Sequence, residues 1–301
     1  MVNDLLALLW VPFLMCLVLT GIHAYLGVHV LAREVVFVDI ALAQIAALGA
    51  TAAFLFGYDL HTWQSYGSGL AATLLGALVL ALTRTRQRQV SQEAIIGVVY
   101  AVSSAGAVLL ADRTPHGADH VRTMLVGSLL SVSAAEVAKI AVLYALIGLL
   151  HWLCRRPFFL ISTDPDAAFR QGRHVRLWDF VFYASFGVVV TSSVRVAGVL
   201  LVFSFLIVPA LAGTALGGNV ATRLIIGWSF GTLVSVLGMA ASAAFDLPTG
   251  ATVVCAFGLT LLAFAVLGRL FGWRPSTGAA VLAPATTGGQ PREGERARGR
   301  R

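Results

Sequence analysis

Nine apolar stretches dominate this chain, and each is long enough, or nearly so, to cross a bilayer as a helix. They cover residues 5–31, 35–57, 66–82, 94–111, 137–153, 178–193, 196–216, 224–245 and 250–271. A membrane helix needs about 20 apolar residues to cross about 30 Å of hydrocarbon. The chain is 58% hydrophobic and only 12% charged, where a soluble domain carries about a quarter charged residues. The missing charge means that most of the surface faces lipid. The sixth and seventh runs are short, with only Val194 and Arg195 between them. Read as one crossing plus a half-helix, they reduce the count to eight. The expected fold is an all-α polytopic membrane helix bundle of about nine transmembrane helices.

Basic residues between the runs set the expected orientation. With the N-terminus outside, Arg33, Arg84, Arg86, Arg88, Arg155, Arg156, Arg170, Arg173, Arg176, Arg223, Arg269 and Arg274 are cytoplasmic; only Arg113, Arg122 and Arg195 are not. That bias accounts for the net charge of +7 without nucleic acid. Asp4 is the only charge ahead of the first run, which exceeds a signal h-region in length, so no cleaved signal is expected. Residues 1–275 read as a transmembrane domain, with a long cytoplasmic loop at 154–178. Residues 276–301 read as a disordered cytoplasmic tail whose arginines could touch lipid. The piece 121–134 is a surface helix or a re-entrant segment. Small residues at helical spacing (Ala46/Ala50, Gly213/Gly217, Gly227/Gly231) allow close helix packing.

Several chemistries are disfavoured. The only lysine is Lys139, inside an apolar run, so no phosphate-cradling GxxxxGK[ST] loop exists. Any ATP used must be bound by a partner. No carboxylate network crosses the helix middles, which disfavours proton-coupled transport, and no HExxH motif is present. Cys16, Cys154 and Cys255 lack CxxC spacing and read as small buried hydrophobes.

Within the long loop, residues 164–172 carry every signal of a short helix. Asp164 suits the N-cap and Pro165 the first helical position. Asp166 and Arg170 suit the two ends of the dipole, and Gly172 the left-handed stop. Two turns do not persist alone in water, so this helix must rest on a cytoplasmic partner or on the membrane surface.

Six stretches in order resemble the permeases of the zinc/manganese/iron family of bacterial ABC importers. They are GIHAYLGVHVLAREVVFVDIALAQIAALGATAAFLFG (21–57), SQEAIIGVVYAVSSAGAVLL (91–110), MLVGSLLSVS (124–133), TDPDAAFRQG (163–172), RVAGVLLVFSFLIVPALAG (195–213) and FDLPTGATV (245–253). The resemblance implies a metal permease of the bacterial inner membrane, working as a dimer (a homodimer is expected) with two cytoplasmic ABC ATPases. An extracytoplasmic binding protein would deliver the divalent cation, zinc first, manganese second, with iron a third option. Asp164, Pro165, Asp166, Ala168, Phe169, Arg170 and Gly172 would form the coupling helix seated on the ATPase. The chain itself would bind no cofactor and catalyse nothing. A permease for a metal chelate or other small solute, and a secondary transporter without an ATPase, are the alternatives.

One departure from the family pattern stands out. Many members carry DALSH in the second helix, a carboxylate and an imidazole four residues apart on one face. Here Ile40 and Gln44 hold those positions, and Asp39 lies about 140° from Gln44 around the helix. Gln44 is about 15 Å along the helix from Glu34, near midplane. His23, Asp39, Gln44 and Pro209 are candidates for the pathway: His23 as a helix-to-helix hydrogen bond or a ligand, Asp39 as a partner of Arg33 or a lining of the inner mouth, Gln44 as a carbonyl donor or a helix bond, and Pro209 as a break in the seventh span. His61, His116 and His120 are candidates for gathering metal at the outer mouth.

Overall fold

The computed structural model describes residues 2–59, 62–84, 91–114, 117–127 and 129–270. Within them lie twelve α-helices and one 3-10 turn. In chain order these are α1 (Val2–Ala32), α2 (Val38–Leu55), α3 (Trp63–Leu82), α4 (Gln92–Ala111), α5 (Gly117–Val126), the 3-10 turn (Leu129–Ser131), α6 (Ala134–Leu153), α7 (Arg155–Thr163), α8 (Pro165–Arg170), α9 (Val175–Ala197), α10 (Val199–Leu216), α11 (Val220–Phe245) and α12 (Thr249–Leu270). Nine of the described helices, α1–α4, α6 and α9–α12, are long and apolar enough to cross a membrane.

Side-chain caps fix several helix starts. The Ser91 hydroxyl accepts from the Ala94 N–H at the head of α4. Ser133 and Glu136 form a reciprocal capping box on α6. The Asn219 side chain accepts from the Thr222 N–H on α11. Each satisfies a backbone donor that the helix leaves free.

Helices α1, α2, α9 and α10 form the buried centre, and α4, α6 and α12 the periphery. The outer helices carry large apolar side chains on open faces, such as Val102, Leu149 and Leu262. An apolar face without a protein partner is what a bilayer solvates. Cys255 lies on such a face and is exposed, so it is not the buried hydrophobe expected; Cys16 is buried and Cys154 half-buried.

The sixth and seventh runs are two helices, and the break is at Gly198 rather than at Val194 and Arg195, which lie inside α9. Gly198 has φ +76, a value only glycine adopts without strain. Gly127, after α5, has φ +71 and sits against this corner. A Cβ on Gly127 would lie 2.2 Å from the Ala197 carbonyl carbon, and one on Gly198 would lie 2.5 Å from the Gly127 nitrogen. The segment left open by the sequence is therefore a ten-residue helix and a turn, too short to cross. It packs on α4, α9 and α10. The tail from residue 276 lies outside the described residues.

Candidate functional site

The loop between α6 and α9 folds into two helices. The expected short helix is α8, with Asp164 at its N-cap accepting from the Ala167 N–H at 2.8 Å. Pro165 begins it, and Gly172 ends the turn that follows with φ +67. Ahead of it lies α7, which the sequence reading did not foresee. Helix α8 rests on its own chain: Ala168 is fully buried against Ile161 and Val175, with Phe169 and Trp178 packed around them. Asp164, Asp166 and Arg170 remain exposed. Arg170 and Asp164 approach to 3.6 Å, an exposed pair that contributes little.

Behind α8 is a buried charge cluster. Arg33, at the end of α1, donates from Nη1 to the Asp179 carboxylate of α9 at 2.7 Å, and both side chains are fully buried. Its Nε donates to the Ser162 hydroxyl of α7 at 2.8 Å. Its guanidinium stacks 3.8 Å above the Phe182 ring. Arg84, beyond α3, approaches the other Asp179 oxygen at 3.5 Å. Ser162 also bonds His29 Nδ1 at 2.9 Å. The Ser162 oxygen accepts from the arginine, and its bond to Nδ1 runs in the direction that the imidazole tautomer sets. Removing one partner from such a buried pair strands the other charge, at a cost of about 3–5 kcal/mol. Asp39 is not Arg33's partner. It is buried on the first turn of α2 with neither carboxylate oxygen hydrogen-bonded to a described residue.

A cleft of about 420 Å³ opens beside this cluster. Arg33, Glu34, Arg84 and Glu93 line one side, and Pro165, Asp166 and Phe169 of the α8 segment another. The short helix thus has packing on one flank and open space on the other.

From Asp179 a polar seam continues along α9 into the bundle. Ser185 bonds His151 Nε2 of α6 at 2.8 Å. Thr191 pairs with Thr73 of α3 at 3.1 Å. Ser193 bonds both Tyr144 of α6 and His23 Nε2 of α1, the latter at 3.2 Å. His23 Nδ1 meets the Leu19 carbonyl at 2.8 Å. His23 is therefore a buried link between helices. At the far end, a small cavity of about 50 Å³ lies among α2, α3, α5 and α9, lined by Ser65, Tyr66, Thr191 and Arg195.

The other candidates are dispersed. Gln44 is half-buried on α2. Pro209 does not interrupt its helix: α10 runs unbroken through it. Instead it receives two glycines of α11, since a Cβ on Gly227 would lie 3.0 Å from the Pro209 oxygen and one on Gly231 3.2 Å from its ring. His61 and His116 fall outside the described residues, and His120 falls on α5. Among the described residues, no three His, Cys, Asp or Glu side chains gather as a metal site. Ser162, Asp179, Tyr144, His151 and Ser193 were missed. The signal available was the recurrence of polar residues along α9 within an apolar run.

Nine helices long and apolar enough to cross a membrane among the described residues, with a charge-bearing short helix and a polar seam leading inward, define a polytopic membrane helix bundle. The chain belongs to the ABC 3 transport family, whose pattern matches residues 6–267. An uncharacterized membrane protein of Synechocystis is 25% identical over 76% of this chain and 79% of its own length. The manganese transport system membrane protein MntC of Halalkalibacterium halodurans is 23% identical over 84% of this chain and 82% of its own. PsaBC from Streptococcus pneumoniae, solved in complex with a Fab, shares the fold with a TM-score of 0.71 at 18% identity, covering 87% of this chain and 95% of that one.

Proposed function

We propose that this chain is the membrane-spanning permease subunit of an ATP-driven importer of divalent metal ions, with manganese the favoured cargo. The observation that carries the reading is α8: a capped six-residue helix, fixed to the bundle through buried Ala168 and presenting Asp164, Asp166 and Arg170 outward. Such a helix is a handle for another protein. The partner is a cytoplasmic ABC ATPase, since this chain has no phosphate-binding loop of its own. Two permease subunits in the bacterial plasma membrane, N-termini outside, would alternate access. A binding protein would supply the ion from the outer face.

The preference for manganese replaces the order suggested by the sequence alone. Membrane proteins of named manganese systems are among the relatives. The chemistry agrees. Where the family pattern has an imidazole, Gln44 offers an amide carbonyl, a hard oxygen donor that suits manganese better than zinc. Competition uptake tests this. Excess manganese should suppress labelled-manganese import at concentrations where zinc and preformed metal chelates do not. Stronger competition by a chelate would reassign the cargo.

A further inference from the structure

The reading of α8 as a handle leaves open how a push on it reaches the transmembrane helices. We infer that Ser162, Arg33 and Asp179 form a transmission clamp, positioning residues that make α7–α8, α1 and α9 move as one body when the ATPase acts. This rests on the proposed role of α8.

The argument is mechanical. Helix α8 begins three residues after Ser162, with only Thr163 and Asp164 between. Without a tie, a displacement of α8 would be absorbed by the cleft of about 420 Å³ on its open flank. Ser162 supplies the tie, holding α7 to α1 through both Arg33 Nε and His29 Nδ1. Arg33 then holds α1 to α9 through Asp179. Arg33 is fixed three ways at once: by the Ser162 hydroxyl, by the Asp179 carboxylate and by the Phe182 ring. Both side chains of the Arg33–Asp179 pair are fully buried, so parting them is costlier than parting an exposed pair. Sliding α7 past α1 would cost a buried hydrogen bond to a charge, and parting α1 from α9 would strand two ions. Farther along, His23 and Ser193 join α1 to α9 a second time. Two fastenings on one pair of helices resist both sliding and splaying. Helix α9 then carries the motion over about 28 Å of helix from Asp179 to the Gly198 corner.

The test uses the whole importer in proteoliposomes (permease, ATPase and binding protein) with manganese as the probe. Three quantities are read: ATPase retained on purification, ATP hydrolysed, and manganese imported. Ser162→Ala removes one hydroxyl and should leave ATPase retention and hydrolysis near wild type. Manganese imported per ATP should fall about tenfold, within the range by which residues along a coupling route change it. Asp179→Asn should act in the same direction and more strongly; if it does not fold, Ser162→Ala decides alone. Wild-type ions per ATP in Ser162→Ala would overturn the clamp, and so would a parallel loss of retention, hydrolysis and import. A charge-reversed α8 (Asp166→Lys with Arg170→Glu) separates the two ideas. If it keeps full ATPase retention, the role of α8 fails, whatever Ser162→Ala does.

Discussion

Single residues in this bundle are held by partners far away in sequence, and that is where sequence reading was weakest. Arg33 and Asp39 are close neighbours in the chain, yet Arg33 pairs with Asp179, 146 positions away. The turn between α1 and α2, with Glu34 at φ 56, helps to send the two side chains apart. Nothing local marks Asp179 as the partner. Glycine positions make the sharpest residue-scale prediction. Gly127→Ala should destabilise strongly, because the backbone is left-handed and the new methyl would overlap Ala197. Gly148→Ala, where a Cβ meets nothing within 4 Å, should be neutral or slightly stabilising. Melting temperatures in detergent check both, and equal shifts for the two would refute the packing described. Ser193→Ala, which removes the shared partner of His23 and Tyr144, should cost about 0.6 kcal/mol and at most about 1.7; denaturant titration in mixed micelles measures it.

At the scale of elements, much was legible and the exceptions are instructive. Capping chemistry placed α8 correctly because each signal is local: Asp164, Pro165 and Gly172 act within two turns. Helix α7 was not foreseen; its Pro157 lies in the first turn, where proline is tolerated. The α9–α10 division was open in the sequence because both sides are apolar, and only the backbone at Gly198 shows where the chain turns. Asp164→Ala should remove about 1 kcal/mol of cap stabilisation. Amide exchange over residues 166–170 should speed up while α9 stays protected; unchanged exchange would mean that packing on Ala168 alone holds the helix. Reversing the charges of Asp166 and Arg170 should weaken ATPase association about tenfold or more, because like charges then face each other across the contact. Pull-down of the ATPase by the purified permease measures it.

For the whole molecule, apolar run length gave about nine spans and left eight open; the described residues hold nine helices long and apolar enough to cross a membrane. It could not say which helices are central. Helix α10 is the most apolar of the nine and is buried, while α12 is nearly as apolar and lies outside. Where every helix is apolar all round, periodicity cannot separate a lipid face from a core face. The buried polar seam along α9 does separate them, but it shows only once the helices are assembled. On the proposed reading, this chain is a pore with no motor of its own, moved by a cytoplasmic partner that grips α8. Its most direct test is labelled-manganese uptake into proteoliposomes holding the permease with and without its ATPase. Import should require the ATPase together with hydrolysable ATP and should be indifferent to an imposed proton gradient. Import by the permease alone, or import driven by the gradient, would contradict it.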